Sequence, residues 1–238
     1  MDKNQEAKNA LINVRRAFRT LASYQQSMLS IADYIRNRTG IPGCGFYGGK
    51  RVSNPIGKCQ LCEDYDANLK IFPKMWSWDF LYGYFFEYYL GTHDMDTSEG
   101  KKNVSISIIQ ISDDGYIRST KDDKRRETVS TFVPPETSES HIMICIGHDD
   151  GWFYVPEALS PEAYSATPWA DCVFHTVNYM IQNNMQIYVN RNGVNNKPCL
   201  FIAGLFPMES FFNSKSIDNI LHSFGERIKA ESGINIFI

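Results

Sequence analysis

Residues 104–116 read VSISIIQISDDGY, and this stretch decides the class of fold that the sequence predicts. Apolar and polar residues alternate from Val104 to Ile108, which is the pattern of a β-strand with one buried face. Asp113-Asp114-Gly115 then predicts a tight turn, with a return strand over 116–120. We therefore expect a β-hairpin here.

A second Asp-Asp-Gly sequence, at 149–151, predicts another hairpin turn later in the chain. Apolar runs bounded by turn residues predict further strands over 128–133, 141–146, 152–155, 186–190 and 198–206, the last two around an Asn192-Gly193 turn. Regular alternation of strands with helices is absent. The sequence therefore predicts an α+β fold with a mainly antiparallel sheet.

Helices are predicted towards both ends of the chain. Residues 3–39 form one long amphipathic helix, because no Pro or Gly interrupts an apolar stripe with alternating spacings of three and four. Thr167 and Pro168 begin a helix that runs to about 183, and Ser216 caps another over 217–229. The N-terminal stripe contains Leu11, Val14, Phe18, Leu21, Gln25, Met28, Ala32 and Ile35.

The predicted organisation is a long helix over 1–39, a Gly-rich loop over 40–72 and a single α+β domain over 73–238. Residues 76–91, WSWDFLYGYFFEYYLG, fit two periods. Aromatic residues at every second position favour a strand, whereas polar residues at helical spacing, a preceding Pro73 and the final glycine favour a helix. A strand of such length is unusual, so we predict an aromatic-rich second helix.

Composition restricts the class of protein. The chain has 238 residues, 43% hydrophobic and 21% charged, which is typical of a folded domain. A net charge of −3 gives no overall attraction to nucleic acid or an anionic membrane, although an exposed aromatic platform would leave nucleic-acid stacking open. No signal peptide and no apolar run of about 20 residues is present. We expect a cytoplasmic protein with no membrane contact and reduced cysteines.

The loop carries two weak resemblances to ligand sites. Cys59-x-x-Cys62, with Cys44 upstream, has zinc-knuckle spacing, but no second knuckle follows and the nearest histidine is His93. Residues 43–51, GCGFYGGKR, have Cys44 where a phosphate-binding loop needs its first glycine and Arg51 where it needs a Ser or Thr. Ordinary loop thiols and a glycine-rich linker are the favoured interpretations, and no cofactor is predicted.

Histidine and acidic residues supply the alternative function, a metal-dependent phosphoesterase or nuclease. The candidate groups are His93 with Asp94 and Asp96, His148 with Asp149 and Asp150, and Glu99 and Lys101 with Asp113 or Asp114. Each falls in a predicted loop or turn, where these residue types also serve local structure. We therefore rank an enzyme second.

The preferred function is a non-enzymatic protein-binding or accessory subunit of a cytoplasmic assembly. The N-terminal helix would pair with a protein partner or with a second copy of the chain. The first 40 residues carry seven basic and three acidic residues in an otherwise acidic chain. The predicted partner-binding residues are Leu11, Val14, Phe18, Leu21, Met28 and Ile35.

Overall fold

The computed structural model describes residues 3–41, 43–45, 47–48, 69–70, 85–97, 100–118, 132–148, 169–191 and 200–237. Helices occur at the N-terminus and towards the C-terminus, around an antiparallel sheet, so the predicted α+β class is confirmed. The elements in chain order are α1 (Lys3–Asn37), β1 (Tyr47–Gly48), β2 (Leu69–Lys70), β3 (Phe85–Thr97), β4 (Gly100–Ile111), the one-turn helix α2 (Gly115–Arg118), β5 (His141–His148), α3 (Trp169–Gln182), β6 (Ile187–Asn190), β7 (Leu200–Pro207), a 3₁₀ turn (Met208–Phe211) and α4 (Ser214–Ser232).

The described strands form one sheet in the order β2-β1-β3-β4-β5-β7-β6, and each neighbouring pair is antiparallel. Strands β3, β4 and β5 form a meander. Strand β7 lies between β5 and β6, so β5 and β6 run parallel to each other and α3 lies between them in sequence. The two-residue strands β1 and β2 extend the β3 edge.

The two faces of the sheet support separate apolar cores. On the first face, Ile106, Ile144 and Ile202 pack with residues from the second half of α1 and from α4. On the other face, Ile109, Met143 and their neighbours pack with Val177 and Met180 of α3. Alternation of side chains along each strand accounts for this division. The described part of the chain therefore has helix, sheet and helix layers.

The aromatic-rich second helix is wrong where the structure describes it. Residues 85–91 lie in β3, with Phe86, Tyr88 and Leu90 buried on the first face. Length and the final glycine, which favoured a helix, are both compatible with this strand. The strand does extend over 13 residues, and Gly91 marks a β-bulge, where its φ of 100° suits glycine. Residues 76–84 lie outside the described residues.

The first predicted hairpin is also wrong. The main chain of Asp114 accepts hydrogen bonds from the N–H groups of Ile117 and Arg118, so the chain enters α2 instead of a return strand. Strand β4 pairs with β5, not with residues 116–118. Phe132 and Val133, at the end of another predicted strand, are not in β structure. The rest of that strand, the turn at 149–151, the strand over 152–155 and the turn at 192–193 lie outside the described residues.

The predicted helices and strands of the second half are otherwise observed. Strands β5, β6 and β7 and helix α3 lie within about two residues of their predicted ranges. Helix α4 begins one turn earlier than predicted. Its cap is Asn213, whose Oδ1 accepts from the backbone N–H groups of Lys215 at 3.0 Å and Ser216 at 3.2 Å. The predicted cap, Ser216, lies inside the helix.

Candidate functional site

Helix α1 divides into an exposed half and a buried half. Every residue from 5 to 21 is exposed, on all sides of the helix. From Gln25 onwards the helix packs on the sheet, and its apolar residues join the first core. At about 1.5 Å per residue, the exposed half is roughly 25 Å of helix without packing against the described body.

The predicted partner-binding stripe divides at the same point. Leu11, Val14, Phe18 and Leu21 are 56%, 48%, 49% and 46% exposed. Met28 and Ile35 are fully buried in the core of their own chain. In the folded protein these two side chains are not accessible to a partner, so the candidate surface contains only the first four.

Two exposed apolar residues were missed by the sequence analysis. Ile12 is 37% exposed and follows Leu11 in sequence, but at 100° per residue it lies on the far side of the helix from the stripe. Phe212, 61% exposed, follows the 3₁₀ turn that begins at Met208, and Met208 Sδ lies 3.1 Å from the Tyr24 hydroxyl. Phe212 is therefore within one short turn of the place where α1 leaves the sheet. Phe212 thus adds an exposed apolar side chain on the body, close in sequence to a residue that contacts α1.

A buried polar network holds α1 at that place. Gln25 and Gln110 exchange two side-chain hydrogen bonds of 3.0 Å, and the Tyr88 hydroxyl donates to Gln110 Oε1 at 2.8 Å. Gln25 Nε2 also donates to the Tyr88 hydroxyl at 2.8 Å. Burial, and then the proximity of Tyr24, raises the pKa of Tyr88 well above its ordinary value, so the phenol stays neutral. Gln25 is thus a polar residue at a core position of the stripe.

A second group of contacts holds the C-terminal end of α1. The Tyr34 hydroxyl donates to Asp218 Oδ1 of α4 at 2.9 Å, and Arg38 donates to the same Tyr34 oxygen at 2.7 Å. Arg38 Nε also lies 3.0 Å from Asp218 Oδ1. Polar contacts therefore attach the buried half of α1 near both of its ends, while the exposed half extends from this attached segment.

Asp114, Glu139 and His141 are the group of potential metal ligands that the described residues bring together, with ligand atoms within 4.8 Å of one another. The buried Asp114 carboxylate accepts from Arg118 Nε at 2.6 Å and from the Glu139 backbone N–H at 2.7 Å, and lies 3.0 Å from His141 Nε2. Arg118 also contacts Glu139 at 2.8 Å. The guanidinium already supplies the positive charge that a metal would provide.

The electrostatics of this cluster agree with a structural role. Burial alone would raise the pKa of Asp114, but hydrogen bonds from His141, the Glu139 N–H and Arg118 outweigh burial and lower it. These contacts join the segment before β5 to the turn after β4. The cluster therefore stabilises the connection between β4 and β5, where the sequence had wrongly predicted a hairpin.

The other predicted metal ligands that the structure describes do not come together in a group of three or more. Lys101 lies near the start of β4 and Asp113 just beyond its end, roughly 30 Å or more away along the strand, so they cannot share an ion. His93 and His148 both face Val104 from opposite sides, which places their backbones about 10 Å apart. Asp94 accepts a hydrogen bond from Asn103 at 3.1 Å, and Asp96 lies opposite Lys101 in the register. Glu99, Asp149 and Asp150 lie outside the described residues.

Two residues of the zinc hypothesis meet at one carbonyl group. Cys44 Sγ lies 3.3 Å from the Leu90 oxygen, and His93 Nε2 lies 2.8 Å from the same atom. Burial raises the pKa of the Cys44 thiol. Cys59 and Cys62 lie outside the described residues. The described contacts therefore account for Cys44 and His93 as hydrogen-bonding partners of the main chain.

Neither the segment that was compared with a phosphate-binding loop nor the Cys145 thiol forms a functional site in the described part of the chain. Tyr47–Gly48 forms β1 and pairs with β3, within the stretch that was compared with a phosphate-binding loop. Cys145 is fully buried, and burial followed by the charge of Glu87 raises the pKa of its thiol well above the ordinary value. A thiol in this state is a poor nucleophile.

The chain belongs to the PM0109 family, whose family model matches residues 4–233. The matched range includes the exposed half of α1, so this segment is part of the family's domain. No curated protein and no solved structure matches the chain. Among the helices that the structure describes, none has the length and apolar character needed to cross a membrane.

Proposed function

We propose that this protein is a non-enzymatic protein-binding or accessory subunit of a cytoplasmic assembly, which binds a protein partner through the exposed half of α1. One observation carries the proposal. Leu11, Val14, Phe18 and Leu21 form a single stripe, and each is about half exposed on a helix whose residues 5–21 are all in contact with solvent. Contiguous exposed apolar side chains of this kind mark interaction surfaces.

Helix energetics support the same function. A helical segment without tertiary packing is only weakly stable in water, because most helical stability in proteins comes from packing of an amphipathic face. Complete burial of a Leu, Val or Phe side chain contributes about 1.5–3 kcal/mol. A partner that covered the stripe would therefore supply the packing that the body of the chain does not provide to residues 5–21.

The enzymatic alternative has less support from the described residues. Its Lys101 lies near the start of β4 and its Asp113 beyond the other end, and the acidic cluster around Asp114 already binds the Arg118 guanidinium. A binding function needs no convergent catalytic group. It needs an accessible surface on a well-anchored element, which the contacts of Gln25 and Tyr34 provide for α1.

The test compares the full chain with two double variants. Phe18→Glu with Leu21→Glu places two charges on the stripe. Thr20→Glu with Ser23→Glu places the same charges at exposed positions in the same turns but off the stripe. Light scattering and quantitative co-purification from the native cytoplasm measure assembly, and circular dichroism verifies folding. We expect the first variant to lose the assembly and the second to keep it. A chain that is strictly monomeric and recovers no partner, or an assembly that survives the first variant, would refute the proposal.

A further inference from the structure

We infer that the exposed half of α1 binds an acidic amphipathic helix of a different protein, in preference to a second copy of this chain. The inference rests on the proposed function and names the chemistry of the partner. It depends on the arrangement of charge beside the apolar stripe.

The stripe follows a seven-residue repeat. Leu11 and Phe18 occupy the first core position of the repeat, a, and Val14 and Leu21 occupy the second, d. The two flanking positions, e and g, set the choice of partner in paired helices. Lys8 and Arg15 occupy e, whereas both g positions beside the exposed stripe, 10 and 17, are alanine.

Between Glu6 and Asp33, every charged residue is basic. The exposed segment carries Lys8, Arg15, Arg16 and Arg19. At 100° per residue, Lys8, Arg15 and Arg19 fall along one edge of the stripe, and the alanines fall along the other. The surface is therefore an apolar stripe with a cationic edge and a small, uncharged edge.

A second copy does not complement this arrangement. In a parallel pair, e positions face g positions, so Arg15 of each helix would lie opposite Ala10 of the other and gain no ion pair. In an antiparallel pair, e positions face each other, so the cationic edges would meet and repel. A partner with Asp or Glu along the facing edge would gain ion pairs with Lys8 and Arg15 while it covered the stripe.

Other anionic surfaces fit less well. Nucleic-acid phosphates would pair with the arginines but would leave Leu11, Val14, Phe18 and Leu21 in water. A helix lying in a membrane interface usually has cations over its whole polar face, whereas Asn9, Asn13 and Thr20 occupy the side of this helix beyond the alanines. An acidic protein helix covers both the stripe and the cationic edge.

The test uses the full chain and two synthetic four-heptad peptides as probes. Both peptides carry Leu at a and d, and they differ only in Glu or Gln at e and g. We expect the Glu peptide to bind about tenfold more tightly at low salt, as measured by fluorescence anisotropy, and the difference to shrink at about 0.5 M salt. Arg15→Gln with Arg19→Gln should reduce Glu-peptide binding to the Gln-peptide level. Arg15→Lys with Arg19→Lys, and the distant Lys101→Gln, should retain it.

Several results would overturn the inference. They are equal affinity for the two peptides, binding of neither peptide, stronger binding to vesicles of anionic lipid, or stronger binding to an oligonucleotide. Self-association that depends on Phe18 and Leu21 would overturn it while leaving the proposed function intact. If no assembly of any kind depends on Phe18 and Leu21, both the inference and the proposed function fail.

Discussion

Gln25 of α1 and Gln110 of β4 form a reciprocal amide pair, in which each Nε2 donates to the other residue's Oε1 at 3.0 Å. Gln25 occupies a core position of the heptad stripe, where an apolar residue would be expected. The pair is buried and includes the Tyr88 hydroxyl. It therefore fixes the register of α1 on the sheet, since a shift along the helix axis would leave several buried polar groups without partners.

Replacing Gln25 by alanine should destabilise the protein by about 2–3 kcal/mol, because the buried amide of Gln110 and the Tyr88 hydroxyl each lose a partner. Urea unfolding measures the change. The matched control is Gln26→Ala at the neighbouring exposed position, which should change the free energy of unfolding by less than about 0.5 kcal/mol. Equal effects of the two substitutions would show that the amide pair does not anchor the helix.

The division of α1 predicts opposite effects for chemically similar truncations. Met28→Ala and Ile35→Ala remove fully buried side chains and should each cost about 2–5 kcal/mol of unfolding free energy. Leu11→Ala and Leu21→Ala should cost less than about 0.5 kcal/mol in the isolated chain but should weaken assembly. Paired measurements of urea unfolding and assembly separate the two halves. A large loss of stability from Leu11→Ala would mean that the N-terminal half packs on the body in solution.

Much of the fold follows from local patterns. The alternation at Val104–Ile108, the apolar run over 141–146 and the uninterrupted stripe of α1 each correspond to an observed element. These segments have one dominant period, so the interpretation is unambiguous. Residues 76–91 have two periods, and helix and strand could be separated only by knowing which side chains the core buries.

The tertiary contacts could not be predicted from the sequence. Asp113-Asp114-Gly115 has the composition of a hairpin turn, but Asp114 is bound by Glu139 and His141, more than 20 positions further along the chain. No local signal identifies such partners. Similarly, the stripe of α1 predicts an apolar surface of one helix, yet only the position of the sheet decides that Leu21 is outside and Met28 is inside.

Hydrogen exchange should report the same division. In the isolated chain, amides of residues 8–20 should exchange much faster than those of residues 28–36, because only the second segment is stabilised by tertiary packing. Addition of the acidic four-heptad peptide should slow exchange in the first segment selectively. The reporter segments within α4 should be unchanged and serve as the internal control. Uniform protection along α1 before any partner is added would contradict the conclusion that its N-terminal half does not pack on the body.

Asp114→Asn should destabilise the protein at neutral pH and reduce its sensitivity to acid. The folded carboxyl has a pKa below its ordinary value of 3.8, because hydrogen bonds from His141, Glu139 and Arg118 outweigh the effect of burial. The folded state therefore binds this proton less readily than the unfolded chain. Its contribution is complete above the unfolded pKa and is lost as the pH falls through the folded value.

The measurement is the free energy of unfolding of both proteins between neutral pH and about pH 3. At neutral pH the substitution should cost about 2 kcal/mol, because Arg118 and His141 lose a charged acceptor that lies in the protein interior. The difference in unfolding free energy between the two proteins should narrow below about pH 4, where the Asp114 carboxyl of the unfolded chain begins to bind a proton that the folded state resists. Asp113→Asn, at the preceding half-buried position, is the matched control. A gap between Asp114→Asn and the unmodified protein that stays constant down to pH 3 would show that Asp114 is not held as the ionised partner of Arg118.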